Sequence, residues 1–208
     1  MQPKSQGDVA PTSTADRLRA VALELFAEKG YAGTSLADIA TRLGIRKPSL
    51  YNYYPSKEEI FLDLLRRSFD AWSTNSHSAL DGQGSCRERL HRHLFTIVEF
   101  AIDNPHKTAL CRVAVSHVGG SLERRVEAMI AEQARDHERR LTAFFSEAVE
   151  RGEVVGVSVD LLLMAWQTFI DGILFHHLFT FDNRQSRYHA YLEDLWTLFW
   201  RGIAAETP

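Results

Sequence analysis

The chain has 208 residues, 45% hydrophobic and 25% charged, with a formal net charge of −3; this is a globular composition, not a disordered, collagenous or membrane-filling one. Two cysteines, Cys86 and Cys111, are too few for a disulfide scaffold. The N-terminus lacks the apolar run of a secretion signal, and the most hydrophobic stretch, 161–179, is broken by Gln167, Asp171, His176 and His177, so the expectation is a cytoplasmic chain with no membrane partner.

Residues 1–12 are polar, carry Pro3, Gly7 and Pro11, and read as a disordered arm. Ser13 with Asp16 forms a capping box. Leu18, Val21, Ala22, Leu25 and Phe26 then share one helical face until Gly30 stops it. Thr34 and Ser35 cap a second helix bearing Ile39, Ala40 and Leu43, which Gly44 ends. A third begins at Lys47-Pro48 and runs to about Tyr54, because proline fits a first helical turn. Ser56 with Glu59 caps a fourth, carrying Ile60, Phe61, Leu64, Leu65, Phe69 and Trp72. Five more helices are expected at about 86–102, 106–117, 122–151, 159–179 and 186–205, with glycine- or proline-bearing turns before each of the first four. No period-two Val/Ile/Thr run stands between turns, so the fold class is all-α with about nine helices.

Charge is unevenly spread. Residues 1–57 hold eight Lys/Arg against five Asp/Glu, a balance of +3, and the remainder carries −6. No acid lies between Asp38 and Glu58, where Arg42, Arg46, Lys47 and Lys57 fall. Such asymmetry suits a chain with one DNA-facing end, although a solvated charged face has the same composition.

Residues 34–50 have the pattern of a helix-turn-helix. Ala40 is small where two helices must approach closely. Gly44 tolerates the positive φ of a tight turn. Ile39, Ile45 and Leu50 can lock the second helix onto the first, leaving Lys47, Ser49, Tyr51, Asn52 and Tyr53 outward. Those side chains offer donors, acceptors and ring surface for base edges and phosphates. A small helical bundle with a glycine turn has the same spacing.

The segments Gly30-Tyr31-Ala32-Gly33-Thr34-Ser35-Leu36, Asp38-Ile39-Ala40, Leu43-Gly44-Ile45, and Leu50-Tyr51 followed by Tyr53-Tyr54-Pro55-Ser56-Lys57-Glu58 resemble the DNA-binding region of the TetR family. The resemblance covers about residues 14–65; beyond them only helix number, length and order correspond. It implies that Thr34 and Ser35 hold a phosphate at a helix N-terminus, and that Lys47, Pro48 and Ser49 face the major groove. It implies that Tyr51 and Tyr53 contact backbone or a thymine methyl, that Asn52 lies among these contacts, and that Lys57 pairs with a phosphate. Arg46 departs from the family's frequent Ser or Thr cap, so it serves either a phosphate or guanine, or only solvent. Tyr53-Tyr54 replaces the more frequent His-Phe pair, with Tyr54 expected inward and Tyr53 outward.

The resemblance also implies a C-terminal body with a small-molecule pocket and a homodimer interface on the last two helices. The domain reading is an arm at 1–12, a helix-turn-helix domain at 13–57, and a ligand-binding and dimerisation domain at 58–208. By helix position and bulk, Phe69, Trp72, Cys111, Val115, Phe145, Trp166, Phe169, Ile170 and His177 are candidate ligand contacts, and their apolar character favours a hydrophobic or amphipathic effector. Gly172, Ile173, His176, Trp196, Phe199 and Trp200 are candidate dimer contacts.

His91 and His93, two apart on a helix, diverge, as do the adjacent His176 and His177. Cys86 beside Arg87 and Arg89 has thiolate surroundings without a partner. No metal site and no cofactor are read, and no nucleophile–base pattern or phosphate-cradling loop suggests an enzyme. The expected function is a ligand-responsive, sequence-specific regulator, a repressor released from a palindromic DNA operator by a small effector. The alternatives are an all-α small-molecule-binding protein or enzyme with no DNA role, and a regulator whose core is filled and responds to nothing.

Overall fold

The computed structural model describes residues 13–116, 118–180 and 185–205, without the side chains of 176–180 and 185–188. The arm at 1–12 therefore lies outside the described residues. Among them the elements are α1 (Thr14–Gly33), α2 (Leu36–Leu43), α3 (Lys47–Leu50), α4 (Lys57–Asp81), α5 (Cys86–Asp103), α6 (Pro105–Val115), α7 (Gly120–Glu150), α8 (Val159–Thr180) and α9 (Gln185–Ile203). The one isolated β-bridge among the described residues pairs Val154 with Ala204. The all-α expectation holds, and no described helix is long and apolar enough to cross a membrane.

Two compact units form. The first comprises Met1–Phe69 and Asn104–Met129; the second comprises Asp70–Asp103 and Ile130–Pro208. The compact-unit boundary therefore differs from the division at 57/58 read from the sequence: the first turns of α4, all of α6 and the start of α7 pack with the head. The physical reason is burial. Helix α6 packs against α1, and Ile60, Phe61, Leu64 and Leu65 of α4 are buried.

In the first unit Leu18, Ala22, Leu25 and Phe26 of α1 meet Ile39, Ala40 and Leu43 of α2, all buried. Phe61 closes this core edge-on to Phe26 at 5.2 Å and to Tyr31 at 5.1 Å. Burying each large side chain contributes about 1.5–3 kcal/mol. At Gly30 the backbone of α1 turns to φ 72° and ψ 175°, a region open essentially to glycine alone.

In the second unit the core joins Leu90, Leu94, Ile97 and Val98 of α5 to Leu141, Phe144 and Phe145 of α7. Leu162, Trp166, Ile170 and Ile173 of α8 and Leu192 and Trp196 of α9 complete it. The 153–155 segment is held to the end of α9 by Val155 N–H donating to the Ile203 carbonyl at 2.8 Å.

Candidate functional site

The helix-turn-helix is assembled from local hydrogen bonds. Ser35 Oγ accepts from Asp38 N–H at 3.1 Å, and the Asp38 carboxylate accepts from Ser35 N–H at 2.9 Å; this is a complete capping box. The Ser35 hydroxyl, donating to the same carboxylate at 2.6 Å, and then the Ser35 N–H hold the Asp38 carboxyl below its usual range. At the other end of α2, Gly44 adopts φ 71° and ψ 29°. Ile45 N–H reaches the Ala40 carbonyl at 3.0 Å and Gly44 N–H that of Thr41 at 3.1 Å, the paired bonds of a Schellman stop.

Helix α3 follows, shorter than expected. Its α-helical part is Lys47–Leu50, after which Tyr51 N–H bonds Pro48 and Tyr53 N–H bonds Leu50, each three residues back. Proline at the start and three-residue bonding at the end tighten the segment into little more than one turn. Leu50 is buried and Ile45 half-buried beneath it, while Arg46, Lys47, Pro48, Tyr51, Asn52 and Tyr53 are exposed and Ser49 is half-buried. Arg46 precedes the helix in extended conformation with no side-chain cap, so its guanidinium is not engaged by its own helix. Tyr54 turns inward and donates its hydroxyl to Asp63 at 2.5 Å, pinning the end of the ridge to α4, whereas Tyr53 points out.

Two of the expected DNA contacts are otherwise employed. The Thr34 side chain is 1% exposed, and its hydroxyl lies 2.9 Å from the Gly30 carbonyl and 3.0 Å from that of Leu25. It closes the C-terminal end of α1 and has no surface to offer a phosphate. Lys57 directs its ammonium onto the carbonyls of Tyr31 and Thr34, each at 2.9 Å, and over the Tyr31 ring at 4.1 Å. Burial pushes this ammonium below its usual pKa. Lys57 thus clamps the start of α4 to the turn between α1 and α2. Beside it, Arg125 bridges Glu58 at 2.9 Å and Glu59 at 2.8 Å, an ion pair that periodicity gives no means of finding.

Residues 18–64 match the model of the tetR family of bacterial regulatory proteins. The helix-turn-helix region of this chain is similar to that of the TetR family of transcriptional regulators. Over 147 residues it is 27% identical to an uncharacterized HTH-type transcriptional regulator, YezE, of Bacillus subtilis, covering 69% of this chain and 74% of that protein. The negative regulator of the biofilm operon icaADBC, IcaR, of Staphylococcus aureus is 26% identical over 133 residues, covering 64% and 70%. In fold, the ketosteroid transcriptional regulator KstR2 of Mycobacterium tuberculosis superposes with a TM-score of 0.74 at 20% identity, over 94% of this chain and 97% of that one.

The expected body contacts divide. Phe145, Trp166 and Ile170 are buried in the core of the second unit, with Trp72 and Phe169 packed at its margin. Cys111 and Phe69 belong to the first unit. Val115 is 72% exposed at the last turn of α6, where the helix ends and no second element covers it, so the expectation of an inward contact fails there. His177, with His176, lies outside the described side chains. Among the dimer candidates, Ile173 and Trp196 are core residues, 6% and 2% exposed, because α8 and α9 turn these positions toward α5 and each other. Phe199 and Trp200 are half-buried against the same core, and Gly172 is exposed. Among the described residues, the large apolar side chains exposed on these helices are Leu161, Met164 and Phe175 on α8 and Tyr191, Leu195 and Leu198 on α9.

Neither thiol is activated. Burial, then the Glu153 carboxylate, pushes Cys86 up to about 12, and burial pushes Cys111 up to about 11; the thiolate reading of Cys86 is overturned by desolvation outweighing Arg89.

The second unit also brings together residues that no sequence spacing links. His93 of α5 is fully buried, its Nε2 2.8 Å from Ser76 Oγ of α4. Its ring stands 5.7 Å from His137 of α7 and 5.7 Å from Trp166 of α8. His137 in turn lies 4.8 Å from Trp72 and 6.1 Å from His77. Burial holds His93 down to about 3 and His137 to about 4, so both are neutral at pH 7.

Proposed function

We propose that this chain is a ligand-responsive repressor that binds a palindromic operator as a homodimer. The observation that carries the reading is the outward ridge of Arg46, Lys47, Pro48, Tyr51, Asn52 and Tyr53, supported from below by Leu50 and tied down by Tyr54. Short, rigid and cationic, it fits a major groove. Ser49 is its half-buried neighbour. In α2, Ser35 contributes the helix N-terminus: its hydroxyl takes the Asp38 amide, leaving those of Leu36 and Ala37, the first of the helix, for a phosphate. Thr34 and Lys57 position this apparatus. By role, residues 13–57 form the DNA-binding domain and 58–208 the regulatory and dimerising one.

Leu161, Met164, Gly172 and Phe175 recur along one exposed face of α8, and Tyr191, Leu195 and Leu198 along one of α9. A second copy of the chain is the occupant this face suits. Two recognition helices must meet successive major grooves about 34–36 Å apart, and a self-complementary two-fold contact generates that pair. Helix α4 carries Lys57 at its start and Ser76 and His77 near its end. An effector held in the body therefore acts through α4, provided it binds one arrangement better than the other. Negative regulation by the relative IcaR supports the repressor sign.

The test is a mobility-shift titration on palindromic fragments flanking the chain's own gene. Retardation that weakens steeply with salt is expected, and Leu198→Glu should yield monomers in sedimentation and weaken retardation. Tight small-molecule binding or turnover with no DNA affinity at any salt concentration would replace this reading with an all-α carrier or enzyme.

A further inference from the structure

Roughly nine in ten buried polar groups in proteins find a hydrogen-bond partner. Among the described residues, His77 Nε2, His93 Nδ1, His137 Nδ1 and Trp166 Nε1 are buried and find none. These four nitrogens do not scatter. They belong to one continuous run of rings, His77–His137–His93–Trp166, with successive centroids 5.7–6.1 Å apart, all within the second unit. Leaving such a group unpaired costs about 1–3 kcal/mol each, so packing alone does not account for four in one place.

The chemistry of the run selects its partner. The Trp166 indole N–H can only donate. Ser76 Oγ stands 2.8 Å from His93 Nε2, so that nitrogen is engaged and the tautomer decides whether the open Nδ1 donates or accepts. The open nitrogens of His137 and His77 donate or accept according to tautomer. The run therefore asks for an oxygen acceptor at Trp166 and for neutral oxygen that accepts from, or as a hydroxyl donates to, the imidazoles. It does not ask for a metal: an indole cannot ligate one, and no three His, Cys, Asp or Glu of the described residues stand where they could hold an ion. Nor does it ask for an anion. The charged group beside it is the Asp136 carboxylate, 3.9 Å from His77 Nε2 and itself paired with Arg140 at 3.4 Å, and the Arg140–Asp81 pair stands further out. A carboxylate or phosphate brought against neutral imidazoles there would meet, among the described residues, only the already paired Arg140. Trp72, edge-on to His137, and Phe169, 5.9 Å from Trp166, supply ring surface around the nitrogens.

We propose that the His77–His137–His93–Trp166 run is the polar wall of the effector site and binds an uncharged ring compound bearing hydroxyl or carbonyl oxygen, of the phenol or aryl-ketone class. This rests on the ligand-responsive reading and adds the ligand's chemistry to it.

The experiment titrates the full chain with phenol and acetophenone, and with benzoate as the charged counterpart. Binding is read by calorimetry and by the indole N–H resonance of Trp166, assigned with Trp166→Phe. Both uncharged probes should saturate and move that resonance downfield, benzoate should bind at least about tenfold more weakly, and Trp166→Phe should lose about tenfold for the uncharged probes, the equivalent of one hydrogen bond. If Trp166→Phe fails to fold by circular dichroism, the resonance of the unaltered protein decides. Absence of binding by both uncharged probes, binding that leaves the Trp166 N–H unmoved, or equal binding of benzoate overturns the proposal. So does Zn²⁺ shifting the histidine rings at stoichiometric concentration. Mobility shifts run in parallel separate the two readings: retardation without probe binding defeats only the effector class, whereas probe binding without retardation defeats the regulator reading and leaves the site standing.

Discussion

Around the helix-turn-helix, Thr34, Ser35, Asp38, Tyr54 and Lys57 each bond a named neighbour in the same unit at 2.5–3.1 Å, and the cations that remain outward stand on exposed positions. Among the described residues of the second unit, four buried nitrogens stay unpaired and six large apolar side chains of α8 and α9 are exposed. The first region completes itself locally and presents a finished surface. The second, among its described residues, keeps nitrogens unpaired in its interior and apolar side chains exposed on α8 and α9, and the proposals of a ligand and of a second copy rest on these.

The largest expected effect tests the head. Leu50→Ala removes the fully buried support of the ridge, and a large-to-small change there costs about 2–5 kcal/mol. Urea unfolding should show that loss, with DNA binding falling alongside; an unchanged midpoint would mean that α3 is not held from beneath.

Acidification tests the body. His93 and His137 have folded pKa values of about 3 and about 4 against a usual 6.5, so below pH 6.5 the unfolded chain binds protons that the folded chain refuses. Their contribution is fully present above about pH 6.5 and drains as pH falls toward 4. The slope is about 1.4 kcal/mol per pH unit for each histidine, roughly 3 kcal/mol over the His137 window. His77, lowered by burial and by Arg140, adds in the same direction. Stability measured by urea at a series of pH values should fall steeply in that window, and His137→Gln should flatten the curve.

A smaller effect separates a clamp from a phosphate contact. Lys57→Met removes two bonds to backbone carbonyls and should cost about 1–3 kcal/mol of stability while leaving the salt dependence of DNA binding as it was. The reverse outcome, full stability with a shallower salt slope, would return Lys57 to the DNA. Smallest in stability is Lys47→Ala, within about 0.5 kcal/mol for an exposed position; its effect belongs in binding, as a change in preferred bases measured on a set of operator variants.

Most of the head was legible before folding. Gly30 and Gly44, the Ser35–Asp38 spacing and the apolar positions of α1 and α2 are local rules, and each operates where it stands. The errors there were ones of direction. Thr34 and Lys57 carry the right groups for a phosphate, yet the neighbouring carbonyls of Leu25, Gly30, Tyr31 and Thr34 claim them first, and a spacing does not say which way a hydroxyl or an ammonium turns. In the body, α8 and α9 are apolar on more than one side, so their sequences could not divide core from open face; Ile173 and Trp196 proved core, Leu161 and Leu198 open.

By itself the sequence determined the all-α class, the order of the helices, the polar ridge on α3 and the family that its head resembles, because capping, periodicity and glycine geometry act within a few residues of one another. Only the tertiary structure decided the rest. His77, His93, His137 and Trp166 come from four different helices, and the 16 to 44 positions between chain-neighbours among them carry no trace of their meeting. Contact at that range is set by how helices pack, and packing is a property of the whole core.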